Sequence, residues 1–218
     1  MIEKLKVFDY EIIRHKVPID LYNDAALMED VNKVFAKEEV VAKGNRSPEK
    51  VGEGYSTAGM GERYVTNLKN ISPLLNYVSK LILNSYYEEK NYNRKILFTR
   101  MWMNKIYKNC SGKCHVHYSG NDLSGTAILY FKAPKNGSKL IILKEDIGDE
   151  KVTEIHKNIS HYIEVEDGDL IIHNQNVPHA FSKHLSDNPR TCLVLDFELK
   201  SESTRDNLKN KFICGKYI

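Results

Sequence analysis

Little cysteine, no long apolar run and almost no net charge mark this chain, and each shortage removes a class of protein. The 218 residues hold 4 cysteines, at 110, 114, 192 and 214. They are too sparse and too irregularly spaced for a disulfide scaffold and read as reduced thiols. No apolar stretch approaches the roughly 20 residues that a membrane-spanning helix needs. The opening Met1-Ile2-Glu3-Lys4-Leu5-Lys6 has no apolar core of a secretion signal, so a cytoplasm is the expected compartment. A formal charge of +3, from 32 Lys+Arg against 29 Asp+Glu, gives no argument for nucleic acid or an anionic membrane surface. The Gly-rich segment from Lys43 to Arg63 lacks the Gly-Lys-Ser/Thr ending of a phosphate cradle and reads as a plain loop. No internal repeat is visible.

What is present fits one α+β domain. Residues 1–95 read as a helical and irregular extension packing on a core. Within it Leu27, Val31, Val34 and Phe35 recur loosely at helical spacing up to Val40. Ile71, Leu74, Leu75, Val78, Leu81 and Ile82 form one clear apolar stripe from about Pro73 to Tyr87. Ser72 suits the N-cap and Pro73 the first turn. From Arg94 the texture changes to short β-rich runs: Ile96–Tyr107, Thr126–Phe131, Lys139–Leu143, His161–Val165, Asp169–His173 and Thr191–Leu199. Turn signals such as Lys135-Asn136-Gly137 and Glu166-Asp167-Gly168 separate them. Strands so spaced, without helices between, predict an antiparallel sandwich or barrel over 96–218.

The histidines carry the chemistry. His115-Val116-His117 in a strand puts both rings on one face, able to converge on one ion. A third ligand from a distant strand would leave coordination positions open, as a catalytic metal requires; His179, in Val177-Pro178-His179, is the best candidate. Cys110 and Cys114 beside His115 and His117 also allow a structural zinc site, although no second Cys/His pair follows. Arg190 opens the next β-rich run, eleven residues after His179. A guanidinium there would grip the far carboxylate of a bound keto acid in a bidentate fork. Trp102, the only tryptophan, is most simply core. His173 fits a strand face better than a ligand position, and His156, His161 and His184 have no nameable partner.

Two blocks carry a family resemblance. Trp102-Met103-Asn104, Gly112-Lys113-Cys114-His115-Val116-His117, Leu123-Ser124-Gly125 and Leu129-Tyr130 form the first. Glu166-Asp167-Gly168-Asp169-Leu170, Val177-Pro178-His179 and Ser186-Asp187-Asn188-Pro189-Arg190-Thr191-Cys192-Leu193 form the second. Together they span about residues 96 to 199 and resemble the 2-oxoglutarate–Fe(II) oxygenases of bacteria and their tailed phages. The resemblance implies a double-stranded β-helix (jelly-roll) core with N-terminal helices. It assigns His115 and His179 as iron ligands and Arg190 as the 2-oxoglutarate anchor. It implies Fe(II), 2-oxoglutarate and O2 as cofactor and co-substrates, with hydroxylation of a small molecule or an amino-acid or peptide side chain yielding succinate and CO2.

The chain departs from that pattern twice. The superfamily carries His-x-Asp/Glu, where this chain has His117. Either His117 is the third ligand, which leaves the site one negative charge short, or a carboxylate such as Asp122 supplies it. A small residue at that position would admit a halide, as in related halogenases; His117 is not small, which favours hydroxylation. Cys192 replaces the Ser that commonly follows the anchoring Arg by two, implying a modest keto-acid affinity. Tyr130 and Asn104, on neighbouring strands, are further candidates to hydrogen-bond the co-substrate.

Two other readings stand beside this one. A cupin shares the HxH and the Gly168–His179 spacing but has no need of Arg190. A non-enzymatic jelly-roll binding protein would bind no metal. The prime substrate and a homodimeric state stay open.

Overall fold

The computed structural model describes residues 2–36, 49–51, 54–56, 68–85, 94–117 and 124–201. In chain order the elements are β1 (Ile2–Val7), β2 (Tyr10–Lys16), α1 (Ile19–Tyr22), α2 (Ala25–Ala36), β3 (Glu49–Val51), β4 (Gly54–Ser56) and α3 (Ser72–Ser85). There follow β5 (Arg94–Ile106), β6 (Ser124–Lys132), β7 (Leu140–Leu143), β8 (Ser160–Ile163), β9 (Asp169–Asn174), β10 (His179–Phe181) and β11 (Arg190–Ser201). They form an eight-stranded sheet, β1-β2-β9-β6-β11-β5-β4-β3, and a three-stranded sheet, β10-β7-β8. Every pairing is antiparallel.

Alternation along the strands decides what each face buries. One face of the large sheet carries Ile13, Met101, Met103, Leu129, Phe131, Ile172, Leu193, Leu195 and Phe197. It packs against Leu27, Val31 and Phe35 of α2 and Leu74, Val78 and Ile82 of α3. The predicted stripe of α3 is thus a core seam, each such side chain worth about 1.5–3 kcal/mol on burial. The opposite face, with Ile12, Ile128, Tyr130, Ile171, Cys192 and Val194, meets Leu140, Ile142 and Ile163 of the small sheet. Because both faces of the large sheet are covered, β6 is buried from Ser124 to Phe131.

Residues 1–95, expected to be mostly helical and irregular, also supply strands to the large sheet. β1 and β2 form a hairpin that joins the large sheet through β2 and β9, with Ile13 opposite Ile172. Two properties hid it. Ile12 and Ile13 are both buried, on opposite faces, so β2 lacks clean alternation. The turn runs through Phe8, whose φ is 55°, rather than through an Asn-Gly signal. The Lys43–Arg63 segment, read as a loop, contributes the short strands β3 and β4 beside β5; its other residues lie outside those described. Gly168 at the turn before β9 has φ +81°, and a Cβ there would collide with the Tyr22 ring.

Candidate active site

The stretch 112–117 runs antiparallel beside β10 and extends the small sheet. Gly112 N–H donates to Phe181 O at 3.0 Å, and His117 N–H to Gln175 O at 2.9 Å. His115 and His179 exchange both backbone bonds at 3.0 Å. That register sets His179 directly across from His115, while the two-residue repeat of an extended chain aims His117 to the same side. The ligand-capable atoms of His115, His117 and His179 lie within 4.8 Å of one another. Their ring centroids are 4.4 to 5.1 Å apart. His115 is exposed; His117 and His179 are buried.

The partners of each Nδ1 fix the tautomers. His115 Nδ1 donates to Lys113 O at 3.1 Å and His179 Nδ1 to Val177 O at 2.9 Å. A carbonyl only accepts, so each Nδ1 carries the proton and each Nε2 keeps its lone pair. His117 Nδ1 faces a carboxylate instead, Asp196 Oδ1 at 2.8 Å, with Thr126 Oγ1 at 2.9 Å. Burial, reinforced by neighbouring imidazoles, pushes His179 well below the ordinary histidine range and lowers His115 as well. Neutral rings with free Nε2 atoms are the form that binds a metal.

A row of polar side chains from the large sheet supports this cluster. In the strand register His173 of β9 faces Thr126 of β6, Thr126 faces Asp196 of β11, and Asp196 faces Arg100 of β5. His173, Thr126 and Asp196 are fully buried. Thr126 Oγ1 donates to Asp196 Oδ1 at 2.8 Å. Arg100 Nη2 lies 2.6 Å from Oδ2, a charge contact without hydrogen-bond alignment. Burial alone would raise the Asp196 carboxyl, but the hydrogen bonds from His117 and Thr126 and the charge of Arg100 outweigh it and hold it below the usual range. His173 donates from Nδ1 to Asn174 O at 2.8 Å and sits 4.8 Å from the His179 ring; its buried Nε2 has no partner among the described residues. Burial lowers this imidazole to about 4.

Toward the other end of β11 lies the predicted anchor. Arg190 is 3% exposed, and its Nε and Nη1 find no hydrogen-bond partner among the described residues. Its guanidinium carbon lies 4.7 Å from the Phe181 ring centroid and 5.5 Å from that of Tyr130. Two residues on, Cys192 stands opposite both Tyr130 and Asn104, and its side chain hydrogen-bonds with Asn104. Burial raises both the Cys192 thiol and the Tyr130 phenol. All four residues proposed from sequence for the co-substrate therefore start from one end of neighbouring strands.

Of the candidates that the sequence suggests, His115, His117, His179, Arg190, Tyr130, Asn104 and Cys192 come together in the sandwich interior or at its rim. Asp122 lies outside the described residues. The zinc alternative loses its cysteines: the candidate ligand group contains neither Cys110 nor Cys114, and Cys114 Sγ points to Asp146 Oδ1 at 3.6 Å. Trp102 is more than core, since its half-buried ring lies 5.2 Å from His117. Asp196, Thr126 and Phe181 went unnoticed in the sequence. His184, without a nameable partner there, is buried between Ser138 N at 3.0 Å and Asn188 O at 2.8 Å.

No family model and no curated protein matches this chain. Solved structures do. A prolyl-4-hydroxylase of Pseudomonas putida is similar at 15% identity, over 87% of this chain and 94% of its own, with a TM-score of 0.55. The two proteins share a fold. The epimerase SnoN of nogalamycin biosynthesis, solved with Fe3+, α-ketoglutarate and nogalamycin RO, is similar at 13% identity, over 90% of this chain and 83% of its own (TM-score 0.54). HygX of Streptomyces hygroscopicus, solved with nickel, 2-oxoglutarate and hygromycin B, is similar at 9% identity over 86% and 82% (TM-score 0.52). The mostly antiparallel, two-sheet core accords with the jelly roll expected from the sequence.

Proposed function

We propose that this chain is an Fe(II)- and 2-oxoglutarate-dependent oxygenase that hydroxylates a small molecule or an amino-acid or peptide side chain. One observation carries the reading: the buried Arg190 guanidinium, unpaired at two nitrogens among the described residues, on the same interior as three histidines that converge their ligand-capable nitrogens. A buried cation without a counter-ion is costly and persists where a ligand supplies the anion. A cupin has no use for that cation. The fold-sharing enzymes, whose complexes include iron or nickel with the keto acid, support the same class.

The residues fit the cofactor. His115, His117 and His179 would hold the metal on one side and leave the other side free, and Arg190 would take the distal carboxylate of the keto acid in a two-pronged grip. When bound, iron(II) with 2-oxoglutarate would supply the O2-dependent oxidation of a C–H bond, with succinate and CO2 as co-products. The chain's own work is orientation and exclusion. Lys113 O, Val177 O and Asp196 lock the three rings. Phe181 and Tyr130 lie against the anchor, and Ile128, Val194 and Trp102 add apolar lining on the same face. His117, being large, leaves no room for a halide, so hydroxylation is the favoured outcome over halogenation.

Anaerobic protein with Fe(II) and 2-oxoglutarate is the test. A visible metal-to-ligand charge-transfer band that fades in Arg190→Ala supports the reading. Bound iron without a band overturns the keto-acid assignment, and absence of bound metal overturns the enzyme.

A further inference from the structure

We infer that Asp196, outside the ligand group, carries the negative charge of this metal site and delivers it through His117. The inference rests on the metal reading proposed above. The common oxygenase set joins two imidazoles to one carboxylate, whereas His115, His117 and His179 are neutral when they present lone pairs. The missing charge lies one bond further out. Asp196 Oδ1 accepts from His117 Nδ1 at 2.8 Å, and Asp196 is fully buried. In such a setting the bond is stronger than in water, and it draws the Nδ1 proton toward the carboxylate, making Nε2 the more basic donor.

The other two rings have no such backing. His115 and His179 face backbone carbonyls, which are dipoles and not anions. Asp196 is also held for the task. Thr126 donates to the same Oδ1 at 2.8 Å, and Arg100 approaches Oδ2 at 2.6 Å, so the carboxylate stays ionised and cannot rotate away. The pairing shift between Asp196 and Phe197 against β5 falls at this residue, a bulge of the kind that re-aims a side chain beside a site. Asp196 is thus a positioning residue that sets an anionic partner behind His117, with Arg100 offsetting part of the charge on the outer oxygen.

Co(II) alone, titrated into the whole chain without 2-oxoglutarate and followed by calorimetry and d–d absorption, tests this. Asp196→Asn is expected to bind Co(II) about 10–100-fold more weakly. His117→Asp alone sets two carboxylates against each other and is expected to bind weakly too. The pair His117→Asp/Asp196→Asn restores one charge and is expected to bind more tightly than either single variant, a non-additivity that a purely structural role would not produce. Melting without metal checks that each variant folds. If Asp196→Asn does not, Thr126→Val loosens the same carboxylate and should still weaken Co(II) several-fold. Co(II) binding in Asp196→Asn, or in that substitute, within about twofold of wild type overturns the inference, as does a double variant weaker than both singles. A wild type that binds no Co(II) overturns the metal reading itself, a different and separable result.

Discussion

Arg190 offers the sharpest test because two of its consequences run in opposite directions. The side chain is 3% exposed; among the described residues Nε and Nη1 are unpartnered and the Phe181 and Tyr130 rings are what offsets its charge. A desolvated cation–π contact returns about 2 kcal/mol, while a buried unpaired ion costs several. The ligand-free fold therefore carries an unfavourable balance at this position. Arg190→Met keeps an unbranched stem beside the two rings and removes the charge. Replacing a poorly compensated buried charge by a fitting apolar group gains about 1–4 kcal/mol, which for a domain of this size raises the melting temperature by roughly 2–4 °C per kcal/mol.

On the proposed reading the same substitution would remove two charge-assisted bonds to the keto acid, each worth about 1.5–3 kcal/mol, so 2-oxoglutarate affinity should fall on the order of 10²–10⁴-fold. Thermal melting with Ni(II) in place of iron, with and without 2-oxoglutarate, reads both effects. The variant should melt above wild type when 2-oxoglutarate is absent. At a concentration near 100 times the wild-type Kd the co-substrate should stabilise wild type by about 2.7 kcal/mol and the variant by about 0.4 kcal/mol at most. A variant that melts below wild type and still responds to 2-oxoglutarate would refute the reasoning, because Arg190 would then be a structural cation with its counter-charge elsewhere.

Three further outcomes follow from the geometry. His173 is lowered from 6.5 to about 4 by burial, so below pH 6.5 the unfolded chain takes up a proton that the folded chain refuses; stability is full above that pH and declines toward pH 4 by on the order of 3 kcal/mol. His173→Phe should flatten that acid limb in chemical denaturation at stepped pH, and an unchanged limb would remove His173 as its source. Trp102, the sole tryptophan, has its ring 5.2 Å from His117, so Co(II) should quench its emission strongly and Zn(II) should not; equal responses would place the ion elsewhere. A Cβ at Gly112 would collide with the Phe181 ring that covers Arg190. Gly112→Ala should thus weaken 2-oxoglutarate by roughly tenfold, about 1.4 kcal/mol, with Co(II) affinity unchanged; loss of Co(II) instead would mean that the shift reaches the histidines.

How much of this was legible depended on whether a signal was local. The β core from Arg94 onward shows in turn signals and short apolar runs, and α3 in one unbroken stripe. His115 and His117 show because a two-residue spacing has a geometric meaning in any strand. Asp196 and His173 did not, although each left a trace. Asp196 interrupts Thr191-Cys192-Leu193-Val194-Leu195 and Phe197, and His173 ends Leu170-Ile171-Ile172; a polar residue in a run buried on both faces must be paired or functional. What the sequence could not supply was the partner, because the row from His173 to Arg100 is set by the register of four strands that lie far apart in the chain. In the β1–β2 hairpin, β2 buries Ile12 and Ile13 on opposite faces, as β6 is buried on both, while β1 is mostly exposed, so neither strand shows clean alternation.

The placement of the site across the two sheets has a mechanical consequence. All three candidate ligands sit on the small-sheet side, on β10 and the 112–117 stretch paired to it. Asp196, Thr126, Tyr130 and Arg190 belong to the large sheet, whose far face is fixed by α2 and α3. Among the described residues, one side-chain link between the two halves at this point is His117 with Asp196 and Thr126. A keto acid held by the metal at one end and by Arg190 at the other would add a second link, so co-substrate binding should tighten the sandwich as a whole and not only the pocket. Backbone amides of β7 and β10 would then gain protection from hydrogen exchange on adding metal with 2-oxoglutarate beyond what metal alone gives, since local opening would have to break both links. Arg190→Met should lose that increment and keep the part due to metal, which separates a clip between sheets from simple filling of a cavity.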